Sequence, residues 1–309
     1  MPARDSDVSA APAIELVGVH KSYGKLAAVR ELDLAVPQGT IFGLLGPNGA
    51  GKTTTLRMIM DIIAPDAGTV RFFGRPRSPE DLRRIGYLPE ERGLYPKMSV
   101  FEQLLFLARL RGLSRREATL RIDRWLERVE LAAWRDRKVE ELSKGMQQKI
   151  QLVGTVIHEP DVLVLDEPFS GLDPINQGLF KDLLTDYRAR GRAILFSTHV
   201  MEQAEKLCDH LCLISGGRAV LEGTLGEIRQ RYGGISYRVE VAGDLARVAS
   251  LPGIEQATPQ NGGLKILLTP QADPAAVLRS MLELVEVREF RRESPELEEI
   301  FIRAVREAG

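Results

Sequence analysis

Gly46 together with Gly51-Lys52-Thr53 satisfies the pattern G-x-x-x-x-G-K-[ST], a spacing suited to cradling a phosphate chain. Glycines let the backbone wrap closely enough for successive N–H groups to face one anion. A helix opening near Thr53 adds the positive end of its dipole. Lys52 reaches the β- and γ-phosphates as a point charge, and the Thr53 hydroxyl is placed to ligate Mg²⁺. An ordinary strand–turn–helix corner would not need that lysine. The stretch therefore implies a nucleoside triphosphate site.

A second constellation is Leu163-Val164-Leu165-Asp166-Glu167, an apolar run closed by two carboxylates. At the end of a buried strand, Asp166 holds Mg²⁺ through water, and Glu167 can polarise an attacking water. In isolation such a pair reads as solvated strand-end acids; beside a phosphate loop in one sheet it reads as catalytic. These two signals alone leave kinases, GTPases, helicases and transport ATPases open.

The elements that must position these groups follow from periodicity. Ile14 to Val19 and Leu26 to Val36 read as strands about a turn at Ser22-Tyr23-Gly24-Lys25, and Ile41 to Leu45 as the strand before the loop. Thr69 to Phe73 and Ile85 to Leu88 are further strands, the latter ended by Pro89 and the turn Glu90-Glu91-Arg92-Gly93. A helical insert over about 94–145 follows. Ser99 with Glu102 and Ser114 with Glu117 form capping boxes, and the stripes Leu104, Leu107, Leu110 and Leu120, Trp125, Val129 are expected to face a core. A polar turn at Ser143-Lys144-Gly145 opens a third helix, Met146 to Ile157. The strand Val162 to Leu165, a helix near Asn176 to Arg190 and the strand Ala193 to Phe196 then alternate, which predicts a mainly parallel sheet with ligands at the strands' carboxyl ends.

Past a hairpin turned at Gly216-Gly217, Thr224 caps a short helix ending at a Gly233-Gly234 linker. The remainder reads βαββαβ plus a final helix, with turns at Asn261-Gly262-Gly263 and helix starts at Asp273-Pro274 and Ser294-Pro295. That order suggests a ferredoxin-like domain without a catalytic constellation. The expected organisation is a disordered lead over 1–12, an α/β domain over 13–232 and a C-terminal accessory domain over 233–309.

Leu142-Ser143-Lys144-Gly145-Met146-Gln147-Gln148-Lys149 resembles the LSGGQ signature of ABC ATPases. Around it stand Gly46-Pro47-Asn48-Gly49-Ala50-Gly51-Lys52-Thr53-Thr54, the acidic strand with Asp166, the loop Ser170-Gly171-Leu172-Asp173, and His199, in family order. The resemblance implies ATP with Mg²⁺, and two cassettes paired head to tail with ATP between the phosphate loop of one and the signature of the other. It makes Tyr23 the aromatic that stacks on adenine, His199 the switch that contacts the γ-phosphate, Ser143 and Gly145 donors across the interface, and Asp173 a shaper of that interface. The stretch Tyr87 to Val100 and the C-terminal domain resemble the sodium- and drug-export type of ATP-binding subunit.

Two departures stand out. Glu90 replaces the family's usual glutamine; a carboxylate still approaches Mg²⁺ but adds charge. Lys144 and Met146 replace the usual glycine and glutamine, whereas Ser143 and Gly145 remain. The resemblance thus implies an ATP-hydrolysing homodimer docked on separate permease subunits at the cytoplasmic face of the cell membrane.

Composition agrees. The formal charge of −1 gives no overall polyanion-binding surface, and no run approaches the ~18–20 apolar residues that cross a bilayer. The lead MPARDSDVSAAP lacks the apolar core of a signal peptide. Cys208 and Cys212 suit a reducing compartment and read as packed free thiols rather than metal ligands. The alternative, a soluble ABC ATPase acting on nucleic acid or ribosomes, fits poorly with a single phosphate loop, no long heptad run and no cysteine cluster. No nucleic-acid partner is expected.

Overall fold

The computed structural model describes residues 11–91, 93–232, 235–260, 263–269, 271–293 and 296–308. The expected lead up to Ala10, Arg92, the Gly233-Gly234 linker, Asn261-Gly262 and Ser294-Pro295 lie outside the described residues. The chain divides into two compact units, between Glu222 and Gly223.

The first unit begins β1 (Ile14–Tyr23), β2 (Leu26–Val36), β3 (Ile41–Leu45), α1 (Lys52–Ile59), β4 (Ala67–Phe72), β5 (Arg75–Pro76) and β6 (Ile85–Leu88). The helical insert contributes α2 (Val100–Leu110) and α3 (Arg115–Arg128), and α4 (Lys144–Val156) returns to the sheet. Then come β7 (Val162–Asp166), α5 (Pro174–Ala189), β8 (Ala193–Thr198), α6 (Met201–Leu207), β9 (His210–Ser215) and β10 (Arg218–Thr224). Strands β2-β1-β4-β5 form an antiparallel sheet. A six-stranded sheet runs β10-β9-β3-β8-β7-β6, parallel from β9 through β6.

The parallel strands are buried on both faces, and alternation decides which residue faces which layer. Phe42 and Leu44 of β3, Val162 and Val164 of β7, and Leu195 of β8 pack with Leu16, Leu34 and Phe72 of the antiparallel sheet. Their neighbours Ile41, Leu163, Leu165, Ile194 and Phe196 pack on the opposite side with Phe180, Leu183 and Leu184 of α5. β3 and β7 are thus buried at all five of their positions, so both strands are packed on each face.

The insert has its own core of Val100, Leu104, Ala118, Ile122 and Leu126 against Ile150 and Val153 of α4. The predicted stripes hold in part: Leu104 and Val129 are buried and Trp125 packs against the core, but Leu110 is 63% and Leu120 53% exposed. The inward faces are Val100, Leu104 and Ala108 on α2, and Ala118, Ile122 and Leu126 on α3. These sets are spaced four apart, so they stay closer to one face than the stripes did. Ser99 and Glu102 form a reciprocal capping box, whereas Ser114 only accepts from the Glu117 N–H, and no return bond is made.

The second unit contains α7 (Leu225–Tyr232), β11 (Ile235–Ala242), α8 (Leu245–Ala249), β12 (Ile254–Gln260), β13 (Gly263–Leu268), α9 (Pro274–Leu282), β14 (Glu286–Glu293) and α10 (Leu297–Ala308). Its antiparallel sheet has the order β12-β13-β11-β14, the split βαβ arrangement of ferredoxin-like domains. The division precedes the expected one because α7 packs against α10, burying Ile228.

Candidate functional site

The phosphate loop leaves β3 and enters α1 through backbone that only glycine holds without strain. Gly51, the N-cap of α1, has φ 109°, and a Cβ there would lie 2.4 Å from the Ala28 carbonyl oxygen. A Cβ on Gly46, whose φ is 152°, would lie 2.3 Å from that of Ile214. The Lys52 side chain is buried, and Nζ donates to the carbonyls of Gly46 (2.8 Å) and Pro47 (3.2 Å). The lysine thus bridges its own loop and holds a positive charge at its centre.

β7 delivers the acids beside it. Asp166 is buried, and its Oδ1 accepts from Thr53 Oγ1 at 3.2 Å and from Ser197 Oγ at 2.5 Å. Glu167 Oε1 lies 3.6 Å from Lys52 Nζ and 2.9 Å from His199 Nδ1. The Glu167 backbone takes φ 47°, left-handed for a residue with a Cβ, held there because its N–H reaches both the Ser197 carbonyl and hydroxyl oxygens. Such a conformation costs on the order of 1–3 kcal/mol and persists only where surroundings over-determine it. Ser197, at the end of β8, was not singled out from sequence; its signal was a hydroxyl at the strand end adjoining the acidic strand.

These groups wall a cavity of about 440 Å³, lined by Tyr23, Asn48, Gly49, Ala50, Gly51, Lys52, Thr53, Thr54, Glu90, Glu167 and His199. Tyr23 is 48% exposed and held by its neighbours: Asp66 accepts from Lys21 Nζ and from the Ser22 N–H, each at 2.7 Å. Those two bonds hold the Asp66 carboxyl below its usual range. Burial, then the negative charge of Asp166, raise the Tyr87 phenol above its usual range, so it stays protonated. Glu90 is exposed on the cavity wall. Thr53 and Asp166 offer hard oxygen donors of the kind Mg²⁺ takes. Among the described residues no cluster of three or more His, Cys, Asp or Glu could hold a metal ion.

Of the predicted site residues, Gly46, Pro47 and Asp166 do not line the cavity themselves but bond to Lys52 and Thr53, which do. Ser143 and Gly145 neither line it nor bond to residues that do. Ser143 is exposed at the N-cap of α4, accepting from the Met146 N–H at 3.3 Å, and a Cβ on Gly145 would meet Asn176 at 3.3 Å. The helix start is therefore open to an anion brought from outside its own cavity. Asp173 caps α5, accepting from Asn176 N–H and Nδ2.

Residues 29–170 match the ABC transporter family model, and residues 223–305 the C-terminal domain of DrrA1-3-like ATP-binding proteins. The chain is 44% identical over 287 residues to the uncharacterized ABC transporter ATP-binding protein YhaQ of Bacillus subtilis (strain 168), covering 93% of this chain and 96% of that one. It is 37% identical over 295 residues to the Nod factor export ATP-binding protein I of Cupriavidus metallidurans, covering 94% and 96%. A solved ATP binding subunit of an ABC transporter superposes with TM-score 0.67 at 31% identity, over 71% of this chain and 93% of that one. With 44% identity to a relative covered over 96% of its length, the chain belongs to the ATP-binding subunits of ABC transporters.

Proposed function

We propose that this subunit powers export: two copies close head to tail over ATP, and hydrolysis of the γ-phosphate reopens them. The observation that carries the reading is the half-built site. Lys52, Glu167 and His199 meet at one wall of the cavity, whereas the exposed start of α4 with Ser143 and Gly145 is absent from it. A second copy supplies that missing wall, with the α4 N-terminus directed at the γ-phosphate. Tyr23 stacks on the adenine, and Thr53 and Asp166 take Mg²⁺, which neutralises phosphate charge, with Glu90 facing the same space. Glu167 accepts the proton of the attacking water, and His199, hydrogen-bonded to it, fixes its orientation.

Among the described residues no helix is long and apolar enough to cross a membrane. The spanning is assigned to separate permease subunits, with this chain peripheral at the cytoplasmic face of the cell membrane. A groove of about 320 Å³ between the Glu90 loop, α2 and α4, lined by Leu94, Leu107 and Leu110 and flanked by exposed Tyr95 and Phe106, suits an apolar permease segment. The export named for the Nod factor relatives supports the direction. Glu167→Gln tests the reading: it keeps ATP binding, traps an ATP-bound dimer in size-exclusion chromatography and lowers turnover at least 100-fold. Normal turnover in that variant would sink the role given to Glu167.

A further inference from the structure

Two glutamines on α4, unused by the site as described, tie that helix to both acidic loops. Gln148 and Gln151, each 8% exposed, lie one turn apart on the face turned to the sheet. Gln148 Nε2 donates to the carbonyls of Pro168 and Ser170, both at 3.2 Å. Those residues belong to the loop that leaves Glu167. Gln151 Nε2 donates to the carbonyls of Pro89 (3.0 Å) and Glu91 (3.2 Å), on either side of Glu90. Each amide thus places both its hydrogens on one loop, and that pattern fixes which end of the side chain is nitrogen.

The same two glutamines, with Glu90, Asp166, Glu167, Ser170 and Gly171, line a second cavity of about 230 Å³. Glu90 and Glu167 also face the nucleotide cavity, so the clamped loops form a common wall. At the other end of α4, roughly 12 Å from Gln151 at 1.5 Å per residue, stand Ser143 and Gly145. The intervening helix is stiff, packed by Ile150 and Val153 into the insert and by Leu152 and Val156 onto the sheet.

We propose that Gln148 and Gln151 are positioning residues that couple the paired nucleotide sites. When the start of α4 seats on the partner's γ-phosphate, the helix moves as a rod, and its glutamines carry the Glu167 and Glu90 loops of its own chain into alignment. Each chain's occupancy of its partner thereby sets its own hydrolysis. The proposal rests on the composite pocket above and adds the route through which one half addresses the other.

The test is the full-length Gln148→Met/Gln151→Met variant, which keeps side-chain length and removes all four bonds. Affinity for a fluorescent ATP analogue stays within twofold, because the Lys52 loop is untouched. Turnover falls about tenfold, and the Hill coefficient for ATP drops from near 2 to near 1 as the sites uncouple. A residue that merely fills space would leave that coefficient unchanged. Should the double variant fail to bind, Gln151→Met alone, which frees only the Glu90 loop, shows a smaller loss of both quantities. Wild-type turnover and cooperativity in whichever variant folds overturns the proposal. Ultracentrifugation of Glu167→Gln with Mg-ATP separates the two readings. A dimer there, beside unaltered glutamine variants, removes the coupling and leaves the composite pocket; a strict monomer removes the pocket and the coupling with it.

Discussion

Acid should weaken this protein through His158, by an amount the structure allows to be worked out. The ring Nε2 lies 3.2 Å from the Ile85 carbonyl, and Nδ1 is buried with no hydrogen-bond partner among the described residues. Burial first, then the positive charges of Arg111 and Arg121, lower its pKa from 6.5 to about 4; the Ile85 carbonyl opposes this only partly. Above pH 6.5 the imidazole is neutral in both folded and unfolded chains, and the full stability is present. As pH falls below 6.5 the unfolded chain takes up the proton first, so stability is lost until the folded ring also titrates near 4. At pH 5 these two values give a loss of about 2 kcal/mol relative to pH 7.5. His158→Gln keeps a donor for Ile85 and cannot titrate. Urea unfolding of both proteins at pH 7.5 and pH 5 subtracts the carboxylates common to them. Wild type should lose about 2 kcal/mol more than the variant; parallel losses would refute the assignment of a neutral, buried imidazole.

Other perturbations address the site and the division of the chain. Gly46→Ala drives a Cβ to 2.3 Å from the Ile214 carbonyl and displaces an acceptor of Lys52, so ATP affinity should fall about tenfold by isothermal titration, a shift of roughly 1.4 kcal/mol. Glu90→Gln removes a negative charge from the nucleotide cavity, and ATP affinity should rise by on the order of 1 kcal/mol at low salt and less at high salt. A chain ended after Glu222 should retain nucleotide affinity, since every residue lining the cavity lies before that point; loss of binding would disprove the independence of the first unit. Leu195→Ala, in the doubly covered sheet, should destabilise by about 2–5 kcal/mol in the same urea assay.

The phosphate loop, the acidic strand and the alternation of strands and helices were legible because each is a local pattern with a local cause. Glycine spacing fixes a turn, and a wholly apolar run of strand length fixes a strand buried on two faces. The misses share the opposite character. Leu110 and Leu120 looked inward because a leucine stripe usually does, but which helical face meets the core depends on where α4 lies, and only tertiary packing sets that. Ser114 had the residues of a capping box without the reciprocal bond. The glycine pair near 233 drew the boundary too late, since nothing in the run Leu225–Tyr232 tells that its cover is α10, far along the chain. Gln148 and Gln151 escaped notice because their partners are backbone atoms of other loops, and Ser197 because its partners, the Asp166 carboxylate and the Glu167 N–H, stand at the end of a neighbouring strand far off in sequence. A polar pair at i, i+3 amid the apolar face of α4 was the one trace the glutamines left.

The native thiols bear on how any of this is measured. Cys212 lies within β9 and is fully buried, and Cys208 sits at the end of α6, where a Cβ on Gly43 would come within 2.7 Å of its sulfur. Burial pushes both thiols far above their usual range, so neither offers a thiolate. Cys212 is closed to maleimide dyes and bifunctional reagents, and Cys208, half-buried and held as the thiol, reacts more slowly with them than an exposed cysteine. A cysteine introduced beside Ser143 can therefore report distances or trap a covalent pair in the otherwise wild-type chain.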